Sequence, residues 1–392
     1  MAPNLPPTFG QADERAILEL ATRLIAFDTG NPPGNEEPAI RFLADYLGAA
    51  GLGVEVQTLA PNRANLIARL PGRGDVGHLV LSGHMDVVPA GASDWRFPPY
   101  SATQVGDRLY GRGAADMKGG LAAMAVVMAR LAQAGFQPRG DLILAVSAGE
   151  EAEGIGSRAM VESEVLAGST ALVLGEFTGL DVYIAQKGVG FLEITAHGAP
   201  AHSAMPWLGQ NAVAYMAQVV TALQANPYPF EPSPILGEPT VSVCTISGGN
   251  KINVIPDRCS IQASIRTVPG QTREMLLART QQLLDRIAVE TGIQVHTEFT
   301  LQSSPSVSIP ADHPLAQVAL DAVEAVRGVR PPPGGVPYGT DALVLAPAYH
   351  LPAIIVGPGH FEQAHQIDEW VSIPELYLAA RIYQEIVVRL LG

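Results

Sequence analysis

The sequence predicts an α/β fold: a mostly parallel central sheet with helices on both faces, interrupted by a smaller inserted α+β domain. Three observations carry this expectation. Strand-like and helix-like patterns alternate from the N-terminus to Ala185. Near Lys187 the pattern changes to four alternating strands and two helices, and after Pro310 the first pattern returns. The economical division is a discontinuous main domain, 1–186 with 299–392, and an inserted domain, 187–298. A chain of 392 residues is long enough to bury a core in each.

The elements follow in order. Residues 13–26 place Ile17, Leu20, Ala21, Leu24 and Ile25 at a helical period. The turn-like run Asp28-Thr-Gly-Asn-Pro-Pro-Gly34 follows, then a second helix pattern ending near Ala50. Short apolar runs at 54–59, 65–70 and 78–82 read as strands, 118–134 as a helix and 141–147 as a buried strand. Further strands fall at 171–174 and 182–185. In the insert, strands at 188–197, 240–246, 259–266 and 294–300 alternate with helices at 211–224 and 272–290, the split β-α-β-β-α-β order. The closing elements are a helix from His313, a strand at 353–356 and a helix at 373–390.

Composition excludes several classes of function. There are 24 Lys and Arg against 38 Asp and Glu, a formal charge of −14, and no basic cluster. Such a chain lacks the electrostatic footprint of a nucleic-acid or anionic-membrane binder. The longest apolar run, 119–129, is cut by Arg130 and falls short of a membrane span. Residues 1–10 lack the basic and apolar regions of a secretion signal, so the expectation is a soluble, cytoplasmic protein. Cys244 and Cys259 lie in alternating segments and read as two buried, reduced thiols.

No G-x-S-x-G elbow or GK[ST] phosphate loop is present. Gly111-Arg-Gly-Ala-Ala-Asp116 resembles a dinucleotide fingerprint, but an aspartate in the third glycine's place would repel a pyrophosphate. What remains is a set of histidines and carboxylates at the ends of apolar runs. His84 and Asp86 stand two apart just beyond a strand; in an extended chain both point the same way, and Asp86 could fix the imidazole's tautomer. A solvated loop pair explains them equally well. Asp116 sits at a glycine-rich bend before a helix, as a bridging ligand or simply an N-cap. Glu150 and Glu151 follow a buried strand; adjacent side chains diverge there, so one can ligate while the other faces water, although a solvated acidic loop is the plainer alternative. Glu176 and His365 again follow strands. Together they supply imidazole and carboxylate ligands after strands of one α/β sheet, a set that suits Zn²⁺, with Co²⁺ or Mn²⁺ as substitutes.

These residues resemble the M20 family of metallopeptidases and amidohydrolases. The resemblance runs through Ser82-Gly-His-Met-Asp-Val-Val-Pro89, Gly111-Arg-Gly, Asp116-Met-Lys-Gly-Gly120, Gly149-Glu-Glu151, Gly175-Glu176 and His365. It continues in the insert through Lys187-Gly188, Ala201-His-Ser203, Gly209-Gln-Asn-Ala212, Asn253-Val-Ile-Pro256 and Arg266. It implies a di-zinc exopeptidase-like fold with the insert as a lid and dimerisation domain. It also implies two Zn²⁺ per chain: His84, Asp116 and Glu176 on one, Asp116, Glu151 and His365 on the other. In that pattern Asp86 orients His84, and Glu150 is the general base toward a water bridging the two ions. His202 reaches the oxyanion, often from a partner subunit, so a homodimer through the insert fits the pattern. Asn253, Arg266, Gly339 and Thr340 match positions that grip a substrate carboxylate, although Arg266 at a strand end also reads as a plain surface residue. A cis peptide after Asp116 is implied as well. Phe177 and Gly149 depart from the common Glu-Pro and Asp-Glu-Glu patterns. The resemblance implies hydrolysis of the amide bond of N-acyl amino acids, in the manner of acetylornithine deacetylase or succinyl-diaminopimelate desuccinylase. The alternatives are a metallo-carboxypeptidase or dipeptidase of the same family, and an inactive metal-binding paralogue, which retention of Glu150 disfavours. His78, His197, His296, His313, His350 and His360 match no motif position and read as structural.

Overall fold

The computed structural model describes residues 9–92, 94–152 and 154–392; most of the 1–10 stretch read for a secretion signal lies outside them. Two units are present. The first takes in the chain as far as Ile184 together with Ser308–Gly334 and Thr340–Gly392. The second is Ala185–Val307 with Gly335–Gly339.

In the first unit the sheet begins with Gly53–Ala60 and Arg63–Leu70, joined through Pro61 and Asn62, the latter at φ +63°. So short a connection permits only an antiparallel pair. Arg63–Leu70 then pairs antiparallel with Leu142–Ser147. Beyond it the order is His78–His84, Ser169–Leu174 and Ala353–Ile355, and these pairings are all parallel. At the far side Ile355 pairs antiparallel with Tyr183. The sheet is therefore mixed: the expected parallel arrangement holds at the centre, and the flanking pairs are antiparallel.

The helix Gly119–Gln133 is buried on every side from Gly119 to Leu131, as expected for a segment apolar all round. It packs against Gln11–Ile25 and Ile373–Leu391. Arg130, near its end, is neutralised by Asp13 at 3.0 Å. Ile155–Glu162 packs against Ala342–Tyr349. A small antiparallel sheet of Thr103–Val105, Arg108–Tyr110 and Trp370–Ser372 carries no sequence signal, because three-residue strands are too short for a period to show. Among the described residues, no helix is long and apolar enough to cross a membrane.

The second unit is a four-stranded antiparallel sheet in the order Thr240–Gly248, Arg258–Thr267, Gly188–His197, His296–Ser304. Leu192, Ile194, Ile261 and Ile265 face a core shared with Tyr215, Met216 and Val219 of Ala212–Gln224 and Leu283, Leu284 and Ile287 of Arg273–Thr291. The last strand stays paired as far as Ser304 opposite Val189. That continued pairing is why residues 299–307 group with this unit and not with the main domain. Cys259 is buried, but Cys244 is exposed, contrary to expectation. Val241 and Val243 take the inward positions of this strand, so alternation itself turns Cys244 outward.

Glycine decides one close approach. A Cβ at Gly120 would collide with the carbonyl oxygen of Gly175. In an exposed helix Gly→Ala gains about 1 kcal/mol. Here overpacking against backbone reverses the sign, and Gly120→Ala is expected to cost about 1–3 kcal/mol. Urea denaturation checks this; an unchanged or raised midpoint would contradict the packing.

Candidate metal centre

Parallel register brings the site residues together. His84, the last residue of its strand, lies opposite Ser147 on one side, and Ser82 lies opposite Leu174 on the other. The strands ending at His84 and Ser147 thus end level and the one ending at Leu174 stops two residues earlier; the loops leaving them carry Asp86, Glu150 with Glu151, and Glu176 to one edge, where open α/β sheets place their sites. Asp116 enters from a kinked turn at Ala114–Lys118, where the Asp116–Met117 peptide is cis. His365 comes from the loop ahead of Trp370–Ser372, with φ +62°.

Asp116 divides its carboxylate between two imidazoles. Its Oδ1 lies 3.1 Å from His84 Nε2 and its Oδ2 lies 3.1 Å from His365 Nε2. Glu151 Oε1 stands 3.0 Å from His365 Nε2, and Glu176 Oε1 stands 3.7 Å from His84 Nε2. The structure therefore groups His84 with Asp116 and Glu176, and His365 with Asp116 and Glu151. His84, Asp116 and Glu151 each offer one atom within 4.8 Å of the others.

The electrostatics describe a site that attracts positive charge. Burial opposes a charged His84, but Glu176, Asp116 and Glu150 outweigh it and raise its pKa well above the ordinary value. Burial alone would raise Asp116; its hydrogen bonds to His365 and His84 instead hold it at about 2. His365 is raised to about 10 by its bonds to Asp116 and Glu151. Desolvation lifts Glu176 to about 8 and pushes Glu150 well above the carboxylate range, with Asp341, Glu176 and Glu151 adding to the shift in Glu150. Among the described residues Glu176 Oε2 has no hydrogen-bond partner although it is buried, a costly state for a carboxylate. A cation between these oxygens and imidazoles relieves both the orphaned oxygen and the mutual repulsion. The mixed imidazole–carboxylate donor set fits Zn²⁺, Co²⁺ or Mn²⁺.

Asp86 faces two sets of partners. His84 Nδ1 bonds the backbone carbonyl of Asp86 at 2.8 Å, while the Asp86 carboxylate lies 3.6 Å away. The Asp86 carboxylate thus stays in ion-pair range of the ring, while the ring's hydrogen bond goes to the backbone carbonyl. Its Oδ1 accepts Glu150 N at 3.0 Å, and its Oδ2 accepts Glu151 N at 3.1 Å and Asn31 Nδ2 at 3.0 Å. Asp86 thus holds the Glu150–Glu151 backbone. Gly149, ahead of that pair, has φ +78°, and a Cβ there would stand 2.8 Å from Arg63 Nη2 and 3.0 Å from Ile155 Cγ1. Conformation and crowding both demand glycine.

Of the other expected residues, Thr340 is buried in the first unit and its hydroxyl accepts Ala342 N at 3.2 Å. His202, Asn253, Arg266 and Gly339 belong to the second unit. There Ser203 N donates to Asn253 O at 3.1 Å and His202 bridges Val254, so His202 and Asn253 are neighbours, both exposed. Arg266 pairs across the sheet with Thr240 and Val189. The unassigned histidines have local partners: His78 Nδ1 accepts Asp141 N, His313 caps Pro314–Arg327, and His360 meets Glu375. Two buried carboxylates escaped sequence reasoning. Asp341 accepts the Ser147 hydroxyl, and Glu369 binds the turn that carries Asp116. Their only signal was position within the Gly339-Thr-Asp341 and Ala364-to-Glu369 segments.

A family model described as Peptidase family M20/M25/M40 matches residues 80–389. A probable succinyl-diaminopimelate desuccinylase of Staphylococcus aureus is 27% identical, over 93% of this chain and 95% of its own length. An acetylornithine deacetylase of Vibrio cholerae is 30% identical, over 86% of this chain and 87% of its own. In structure, a dinuclear metal binding peptidase from Bacillus subtilis superimposes with a TM-score of 0.77 at 18% identity, covering 97% of this chain and 99% of that one.

The shift of His365 makes a prediction for protein stripped of ions by a chelator. Its folded pKa, about 10, exceeds the ordinary 6.5. The stability it contributes is therefore complete below pH 6.5 and is lost as pH rises toward 10. The stability gap between wild type and His365→Gln, read from urea midpoints, is expected to be widest at low pH within that range and to close by its upper end. A gap that does not change with pH would refute the assignment of the charge.

Proposed function

The chain belongs to peptidase family M20/M25/M40 and is a hydrolase of amide bonds; on that premise we propose that it cleaves the acyl–amine bond of N-acyl amino acids with the help of two divalent ions, Zn²⁺ in the first instance. The observation that carries the reading is the division of Asp116 between His84 and His365, with Glu176 and Glu151 completing two ligand sets. His84, Asp116 and Glu176 would hold one ion, and Asp116, Glu151 and His365 the other. Such ions supply Lewis acidity, polarising the scissile carbonyl and lowering the pKa of the attacking water.

Glu150 is the general base. Its carboxyl is raised by desolvation and by neighbouring acids, which strengthens it as a proton acceptor once it is ionised. It takes one proton from water as the oxygen adds to the carbonyl carbon. It then returns that proton to the amine nitrogen as the C–N bond breaks, leaving a carboxylic acid and a free amine. Asp86, through the backbone of Glu150 and Glu151, keeps base and ligand in a fixed relation. His202 is assigned an N–H toward the oxyanion, and Asn253, Arg266, Gly339 and Thr340 the substrate carboxylate, for which an Arg fork is suited. The second unit is assigned a lid and dimerisation role, and the cytoplasm is the expected compartment. The names of the two relatives at 27% and 30% identity favour a deacylase over a carboxypeptidase or dipeptidase.

Glu150→Gln is expected to keep its ions, by elemental analysis, while kcat falls by about 10²–10⁴-fold. Retained turnover would remove Glu150 as the base. On zinc-loaded protein, a panel of N-acetyl and N-succinyl amino acids, acyl-glutamates and dipeptides is expected to give its highest kcat/KM on an acyl amino acid. A preference for dipeptides would favour the peptidase instead.

A further inference from the structure

Glu369 lies outside both ligand sets, yet its carboxylate is 1% exposed and engages four donors. Oε1 accepts Ala115 N at 2.9 Å and Asp116 N at 3.0 Å. Oε2 accepts Gly113 N at 3.1 Å and Arg112 Nη1 at 2.7 Å. Three backbone N–H groups of one turn therefore converge on one anion, the arrangement of a backbone nest. The turn cannot supply these acceptors itself. Gly113 has φ +83°, and Asp116 leaves the helical region at φ −119°, ψ 92°. Ala114 N and Lys118 N instead find carbonyls on Gly111 and Gly113.

The same carboxylate joins the two arms of the site. Trp370 pairs with Tyr110, and Gly111 N donates to Glu369 O at 2.9 Å, so the Asp116 turn and the His365 loop part from a common point. Arg112 Nη1, bound to Glu369, also donates to the carbonyl of Gln366, next to His365, at 3.1 Å. One buried ion pair thus touches the backbone of Asp116 on one side and the neighbour of His365 on the other.

We propose that Glu369 is a positioning residue of the centre: with Arg112 it holds the Asp116 turn so that the carboxylate faces both imidazoles, and it fixes the interval between Asp116 and His365. The inference rests on the two-ion reading above. Because Asp116 is common to both ligand sets, disturbing its turn weakens both ions together, whereas loss of His365 weakens one.

The test is titration of chelator-stripped full-length protein with Co²⁺, followed by visible absorption and equilibrium dialysis. Glu369→Ala is expected to weaken both binding steps by about 10–100-fold. Glu369→Gln keeps an oxygen for Ala115 N and Asp116 N but turns an amide NH₂ toward Gly113 N and Arg112. It is expected to give a smaller loss in both steps and serves if the alanine variant fails to fold. Far-UV circular dichroism and the melting temperature of the ion-free chain read the structural cost separately. A lowered melting temperature with cobalt affinities within about twofold of wild type, well short of the usual loss, would overturn the positioning role and leave the two-ion reading standing. Wild-type protein that takes up no cobalt would overturn that reading and this inference with it.

Discussion

One carboxylate shared by two imidazoles sets the terms for the structure around it. Asp116 must present opposite oxygens to His84 and His365, each at 3.1 Å, and a side chain of two rotatable bonds cannot do so unless its backbone is held. The backbone leaves helical geometry there, turns through a cis peptide, and directs its free N–H groups to Glu369. His84 arrives at its place as the last residue of a strand held in parallel register between two others. Glu150 and Glu151 arrive because Asp86 takes both of their N–H groups. Asp116, Glu150 and Glu151 are thus held through their backbone N–H groups.

Charge is managed by the same economy. Lys118 is fully buried, donates to Phe27 O at 2.8 Å, and is lowered to about 7 by burial even with Asp28, Glu369, Asp86 and Glu36 nearby. Arg63 meets buried Glu36 at 2.6 Å, and Arg112 meets Glu369. A buried ion pair seldom adds net stability over an apolar pair. These cations are better understood as what allows carboxylates to stand behind the ligands at all.

The residues legible in the sequence were those whose placement follows from strand ends. His84, Glu151 and Glu176 stand after apolar runs, and adjacent parallel strands bring such residues to one edge without further information. The insert was legible because its two periods, near 2 and 3.6, are long enough to register. Asp86 was named, but its bonds to the backbone of Glu150 and Glu151 were not legible, since they join loops far apart in the sequence. Cys244 was misread because alternation alone does not say which face is inner, and Val241 and Val243 hold the inner positions. Glu369 had no local signal beyond its place in the His365 segment: its position comes from pairing between Arg108–Tyr110 and Trp370–Ser372, segments about 260 residues apart and too short to show a period. Long-range register of that kind is not written in any window of sequence.

The orphaned oxygen of Glu176 has a consequence for the protein's lifetime. Features that make the edge of the sheet receptive to cations also leave the ion-free chain with buried, mutually repelling acids. Any cation bound only by the folded state, at a hundred times its dissociation constant, adds about 2.7 kcal/mol to stability. A difference of about 1–2 kcal/mol is enough to change the abundance of a protein in a cell several-fold through chaperones and proteases. Ion supply would then govern how many molecules persist as well as how many are active, and unloaded chains would be cleared first.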